Sequence, residues 1–322
     1  MVKNIFITGV SGFIGQHLLE ELRDDYSFVY ALSRNYENNE VNNVRFIKGD
    51  LLKINELSDI LSSIDYFINI AGEKSDENLM FDVNVKGVSA ILAELVKYHN
   101  IKFLQVSSAG VYGIESHPEV ELTENMPVYP TNIYEKTKYE AERVIINFGI
   151  KTGLKYSIIR PSNVFGENDK GLKLLNLLKA LNNNQFFYIN PNAVVNYVYV
   201  KQVTSVIKQL IEKDIFYNKI YNVNAACTIS EFIAILKSAL HLQNKIKQIP
   251  KHMSFIIKII AKIADLLPKR YQFINSCKYR ELTSLKYYAT KELKKDIIFE
   301  ENKLLEKGVY NLVAHYKKKG LL

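Results

Sequence analysis

A chain of 322 residues is long enough for one large α/β domain or two smaller ones. With 48% hydrophobic and 24% charged residues it has the make-up of a folded globular protein, which excludes a disordered chain, a fibre and a disulfide-stapled miniprotein. The formal net charge is +8, and the whole surplus lies late: residues 241–322 hold 18 basic against 7 acidic side chains, residues 1–240 hold 24 against 27.

Such a basic last quarter suits a solvated face, or attraction to an anionic substrate or membrane surface. It shows no nucleic-acid-binding module, and its lysines are spread among apolar helices, so no nucleic acid is expected as a partner. The two cysteines, Cys227 and Cys277, form no CxxC and suit a reducing compartment. The run Ile5-Phe6-Ile7 begins almost at once and leaves no room for a secretory signal. No segment offers the ~18 uncharged apolar residues of a membrane span, and a cytoplasmic location is expected. The histidines show neither HxxxH nor HExxH spacing, so no metal site is expected.

In chain order, apolar strand-like runs fall at 2–7, 27–32, 44–48, 66–71, 102–107 and 155–160. Helical patterns lie between most of them, at about 13–23, 54–63, 79–99 and 132–148. In the third, Val83, Val88, Ile91, Leu92, Leu95 and Val96 recur at three- and four-residue spacing. This alternation predicts a Rossmann-type, doubly wound parallel sheet with helices on both faces. After Gly166 the rhythm changes: a helix at about 171–183, a β-rich stretch Val194–Val200, a helix at about 203–212, then mostly helix and loop past 225. The expected division is a dinucleotide-binding domain of residues 1–166 plus about 193–224, and a smaller, mostly helical substrate domain of about 167–192 plus 225–322. The segment 253–267 is strongly amphipathic, with Lys258, Lys262 and Asp265 on one helical face. It is too short and too charged to span a bilayer, and suits either packing on its own domain or peripheral contact with a membrane.

The first strand runs into Thr8-Gly9-Val10-Ser11-Gly12-Phe13-Ile14-Gly15 and then into a helix. Gly9, Gly12 and Gly15 permit a tight turn and close backbone approach to a pyrophosphate, which the free N–H groups around Phe13 and Ile14 then hold. At the end of the second strand, where a carboxylate would grip both ribose hydroxyls of NAD, stand Ser33 and Arg34. A guanidinium pairs with a 2′-phosphate, so NADP is expected, with NAD as the alternative.

Four YxxxK pairs occur, at Tyr98/Lys102, Tyr134/Lys138, Tyr197/Lys201 and Tyr287/Lys291. Context singles out Tyr134 and Lys138. They open a predicted helix, on one face of it, and follow Ser107-Ser108-Ala109-Gly110-Val111-Tyr112-Gly113 at a predicted strand end, where open parallel sheets bind ligands.

With Gly49-Asp50-Leu51, Ala71-Gly72, Asn84-Val85-Lys86-Gly87, Glu142 and Arg160-Pro161-Ser162-Asn163-Val164-Phe165-Gly166 following in order, the chain resembles the extended short-chain dehydrogenase/reductase family of nucleotide-sugar epimerases, dehydratases and reductases over nearly its whole length. The resemblance implies that Tyr134 is the general acid/base and that Lys138 binds the nicotinamide ribose and lowers the phenol pKa. It implies that Ser108 bonds the reacting oxygen, that Asp50 with Leu51 borders the adenine, that Ala71 and Gly72 line the cofactor, and that Asn163 touches the substrate. A free phenol, with its pKa near ~10, is a poor base at neutral pH, so a nearby ammonium has a chemical purpose.

The family's 4,6-dehydratases carry an Asp-Glu pair where Ala109 and Gly110 stand here, which sets dehydration aside. Arg34 favours an NADPH-dependent ketosugar reductase, and an NAD-dependent sugar 4-epimerase is the alternative. The run Val195-Asn196-Tyr197 lacks the arginine that often meets the substrate diphosphate, and Gln202 stands where an aspartate is common. The diphosphate clamp then falls to Arg270 or Arg280, or the sugar rides on a polyprenyl diphosphate. A non-catalytic dinucleotide-binding regulator would have lost Tyr134 or Lys138. The resemblance also implies a homodimer built on the 79–99 and 132–148 helices.

Overall fold

The computed structural model describes residues 3–23, 25–98, 100–113, 117, 120–266 and 275–322. Its centre is an eight-stranded sheet of β1 (Asn4–Thr8), β2 (Phe28–Ser33), β3 (Asn39–Val41), β4 (Val44–Lys48), β5 (Tyr66–Asn69), β6 (Lys102–Val106), β7 (Lys155–Pro161) and β8 (Lys219–Val223). The spatial order is β8-β7-β6-β5-β1-β2-β4-β3, and every pairing is parallel except β3 with β4.

The apolar runs are continuous because both faces of the sheet are buried. Ile5 and Ile7 of β1 pack into one core with α1 (Phe13–Leu22) and α5 (Val200–Glu212), while Phe6 between them packs into the other. That second core takes α2 (Gly87–Leu95) and α3 (Ile133–Thr152). Strand β1 has β2 on one side and β5 on the other, so the chain reverses its direction of travel at β1 and opens a crevice at the strand ends.

A second region has its own core. Strand segment Val194–Tyr199 pairs parallel with Asn163–Phe165 and antiparallel with Ala225–Thr228. Around this small sheet lie α4 (Lys173–Asn182), α6 (Ile229–Leu240) and α8 (Glu301–Lys318). Helix α7 (Lys251–Ala264) packs against the short helix Ser276–Glu281.

Three local expectations are corrected. The stretch read as a helix at 54–63 is a 3-10 segment, Leu51–Leu57, and one α-turn, Ser58–Leu61. Asp50 caps its start, and Lys53 leaves helical geometry. The 79–99 pattern is helical over 77–95, with a π-turn at Asp82–Lys86 inside it from which Asn84 bonds Glu73 and Thr137, and it ends four residues early. Past 225 the chain first forms the strand Ala225–Thr228, which periodicity alone does not reveal.

Candidate active site

The crevice is a cleft of about 660 Å³ at the carboxyl ends of the central strands. Gly9, Gly12, Phe13, Ile14, Ser33, Arg34, Asp50, Leu51, Ala71, Gly72, Ser108, Tyr134, Lys138 and Asn163 all line it. Gly15 stands behind, packed so tightly on the Gly9 carbonyl that a Cβ would come within 2.2 Å of that oxygen. Gly9 adopts φ +73°, and a Cβ there would lie 2.6 Å from the Ala71 nitrogen. Gly12 precedes α1 in an extended conformation and offers no capping side chain, so the first N–H groups of the helix are left for an anion. A turn closed to any Cβ, a helix N-terminus and a long cleft together fit a dinucleotide pyrophosphate.

At the end of β2 the Ser33 hydroxyl donates to Ser11 Oγ (3.1 Å) and accepts from Asn35 N (3.1 Å), and Arg34 is exposed at the cleft. Across from it lies Glu73, whose carboxyl sits below its usual range because it accepts backbone N–H groups, Ser75 first, with a contribution from the Arg34 charge. Asp50 accepts from Leu52 N at 2.9 Å and starts the 3-10 segment at the cleft edge.

Helix α3 carries Tyr134 and Lys138 one turn apart. Asn132 and Glu135 form a capping box that fixes its start. Lys138 is buried, and its Nζ donates to the Val106 carbonyl at the end of β6 (2.7 Å). Burial pushes its pKa down to about 8 against an opposing pull from Glu142. A Cβ on Gly72 would come 3.3 Å from Asn84 Oδ1 and 3.4 Å from that Nζ. Burial raises the Tyr134 phenol, a hydrogen bond with the Ser108 hydroxyl lowers it, and Glu135 raises it. Ser108 also caps the 3-10 turn Ala109–Tyr112, accepting from Gly110 N at 3.1 Å.

Beneath this pair lies an ionic knot. Glu142, fully buried, accepts from Arg160 Nε (3.0 Å) and Nη2 (2.6 Å) and from Ser107 Oγ (2.5 Å). The Arg160 guanidinium stacks 4.7 Å from the Tyr112 ring centre, so Tyr112 is a packing residue as well as a neighbour of the site. Asn163 is exposed in the cleft and donates to the Asn196 carbonyl at 2.9 Å. Gln202 caps α5 and donates to the Glu300 and Glu301 carbonyls, away from the cleft.

A wider recess of about 950 Å³ shares Ser108, Tyr134, Asn163 and Lys173 with the cleft and is bounded further by Phe186, Phe232 and Arg280. Lys173 pairs with Glu281 at 3.0 Å. Sequence reasoning passes over Lys173, because one lysine in a Lys-rich helix carries no spacing signal. It also passes over Asn84, whose side chain joins Glu73 O (2.9 Å), Glu73 N (2.8 Å) and Thr137 Oγ1 (2.9 Å). The motif around Asn84 is visible in the sequence, but the π-turn that aims it is not. Arg280 reaches the recess, and Arg270 lies outside the described residues.

Residues 5–224 match the NAD dependent epimerase/dehydratase family. The chain belongs to that family. It is 31% identical to the N-acetyl-alpha-D-glucosaminyl-diphospho-ditrans,octacis-undecaprenol 4-epimerase of Escherichia coli O157:H7, over 69% of this chain and 67% of that protein. It is 27% identical to the GDP-6-deoxy-D-mannose reductase of Pseudomonas aeruginosa, over 53% and 55% of the two chains. The crystal structure of Thermotoga maritima UDP-glucose 4-epimerase with UDP-glucose superposes with a TM-score of 0.71 at 20% identity, covering 98% of this chain and 99% of that one, and so shares the fold. This family member is an NAD(P)-dependent enzyme that modifies sugars.

Proposed function

We propose that the protein is an NADPH-dependent reductase of a ketosugar carried on a diphosphate. The observation that carries this reading is the end of β2, where Arg34 and Ser33 face the cleft in place of a ribose-binding carboxylate. Gly9 and Gly12, backed by the close-packed Gly15, and the N-terminus of α1 at Phe13 and Ile14 hold the pyrophosphate. Arg34 and Ser33 take the 2′-phosphate, Asp50 and Leu51 border the adenine, and Ala71 and Gly72 leave room along the dinucleotide. Lys138 bonds the nicotinamide ribose.

When bound, the reduced nicotinamide supplies the hydride. Tyr134 donates its phenolic proton to the carbonyl oxygen as that carbon is reduced, and the Ser108 hydroxyl holds the same oxygen. A phenol raised by burial is protonated at neutral pH, the state that reduction needs. Asn163 positions the sugar, and Arg280 and Lys173, the latter paired with Glu281, border the wide recess that takes its diphosphate. In this reading residues 1–166 with about 193–224 hold the dinucleotide, and about 167–192 with 225–322 hold the sugar. A homodimer through α2 and α3, with Ile150 of α3 and Val96 just past α2 exposed, and a cytoplasmic location complete it.

The identity to the undecaprenol-linked 4-epimerase favours a second reading, a 4-epimerase of a nucleotide- or polyprenyl-diphosphate-linked hexose using NAD. There Tyr134 first accepts and then returns the proton. Monitoring NADPH oxidation with a panel of nucleotide- and polyprenyl-diphosphate-linked 4-ketosugars separates the two. Turnover supports the reductase; interconversion of C4 epimers with no net NADPH consumption replaces it with the epimerase.

A further inference from the structure

Helix α7 buries little of itself. Ala261 and Ala264 are buried and Ser254 and Ile257 half-buried, a narrow stripe of mostly small side chains. On the opposite side Phe255 (65%), Ile256 (51%), Ile259 (44%), Ile260 (50%) and Ile263 (56%) stand in solvent, followed by Leu266 (85%). At 3.6 residues per turn these six cover an arc of about 140°. Lys258 and Lys262 lie along one border of that arc, both exposed. Exposed His252 falls on this arc in the first turn, and from Phe255 onward the face is apolar, as at an interaction site.

Its place in the fold is specific. The hydroxyls of Ser254 and Tyr279 share a hydrogen bond (3.1 Å), and Asp265 accepts from Ser276 N (3.1 Å). The short helix so attached supplies Cys277, Lys278 and Arg280 to the wide recess. The short helix therefore packs on α7 and also lines the cavity that reaches Tyr134.

We propose that α7 docks the protein on an anionic bilayer surface. The apolar arc enters the boundary between headgroups and acyl chains, Lys258 and Lys262 lie on anionic headgroups, and the wide recess is held at the membrane surface. The charge pattern selects this occupant. A second copy of the same face would set these lysines against each other, with Asp265, already engaged by Ser276, as the one carboxylate to balance them. Anionic lipid supplies the missing charge, and the +11 balance of residues 241–322 extends the attraction. A helix of 14 residues spans roughly 21 Å, short of the ~30 Å hydrocarbon core, so it lies on the bilayer. The proposal holds for either reaction above and does not depend on which is correct.

Flotation with vesicles of equal parts phosphatidylglycerol and phosphatidylethanolamine tests it, with phosphatidylcholine vesicles alongside. The full chain should float with the anionic vesicles. Lys258→Glu/Lys262→Glu and Ile259→Ser/Ile263→Ser should each weaken this at least tenfold, with circular dichroism and thermal unfolding unchanged. A folded protein that stays with neither vesicle, or binds both equally, overturns the proposal, as do variants that bind like the wild type. An oligomer that Ile259→Ser/Ile263→Ser converts to a smaller species, without vesicle binding, overturns it in favour of a second copy.

Discussion

Lys138 Nζ donates to the carbonyl oxygen of Val106 at 2.7 Å, which ties the helix of Tyr134 to the end of the central strand β6. The same carbonyl accepts from Gln105 Nε2 (2.9 Å). Gln105 Oε1 accepts from Asn69 Nδ2 (2.8 Å), and Asn69 Oδ1 accepts from Thr8 Oγ1 (2.5 Å). A buried polar chain thus crosses β6, β5 and β1 directly under the cleft. Each member has its partner, which is what makes such a chain rigid.

The lysine's burial has a pH signature. Its pKa falls from 10.5, the ordinary lysine value, to about 8 in the folded protein. Between these values the unfolded chain holds a proton that the folded chain has released, so this group makes stability rise with pH, by at most about 1.4 kcal/mol per unit. Below pH 8 both states are protonated and the burial cost is constant. Urea denaturation of wild type and Lys138→Met from pH 7.5 to 10 should show the difference moving in favour of the wild type as pH rises. A pH-independent difference contradicts the assignment.

Glu142 and Arg160 form a fully desolvated bidentate pair, and removing one charge strands the other. Glu142→Gln should cost about 3–5 kcal/mol in chemical denaturation. Glu142→Gln/Arg160→Met should recover part of that loss, since the stranded guanidinium is gone.

Gly9 and Gly320 both have positive φ, +73° and +66°, but only Gly9 has backbone against its missing side chain. Gly320→Ala should cost about 1 kcal/mol of stability or less and leave dinucleotide binding intact. Gly9→Ala should weaken dinucleotide binding at least tenfold, read by titrating nicotinamide fluorescence.

The sheet is legible in the sequence because its strands are buried on both faces and read as unbroken apolar runs; 44–48 coincides with its strand, and 27–32 and 155–160 lie within a residue of theirs. The short elements are not. Ala225–Thr228 is a strand only because Val194–Tyr197 lies beside it, a pairing that no local pattern encodes. In the site, glycine spacing marks the loop and the YxxxK register marks the helix, both local signals. Glu142 stands in the motif, yet its bond to Arg160, 18 residues away, depends on the fold. Lys173 has no signal, since its place depends on how the second region closes over the first.

In the proposed reductase Arg34, at the cleft, reads the 2′-phosphate. Arg34→Ala should lower NADPH affinity by about 10- to 100-fold, the loss of charge-assisted bonds worth ~1.5–3 kcal/mol, with NADH affinity changed less than about twofold. Equal loss for both dinucleotides would show that Arg34 does not read the 2′-phosphate.

Whether Tyr134 moves the proton in a dinucleotide-dependent reaction on a sugar is decided by comparing wild type and Tyr134→Phe in turnover of the 4-ketosugar panel and in dinucleotide binding. Tyr134→Phe should bind the dinucleotide within about twofold of wild type and lose a factor of about 10² to 10⁴ in kcat. Turnover by Tyr134→Phe at the wild-type rate would contradict that role.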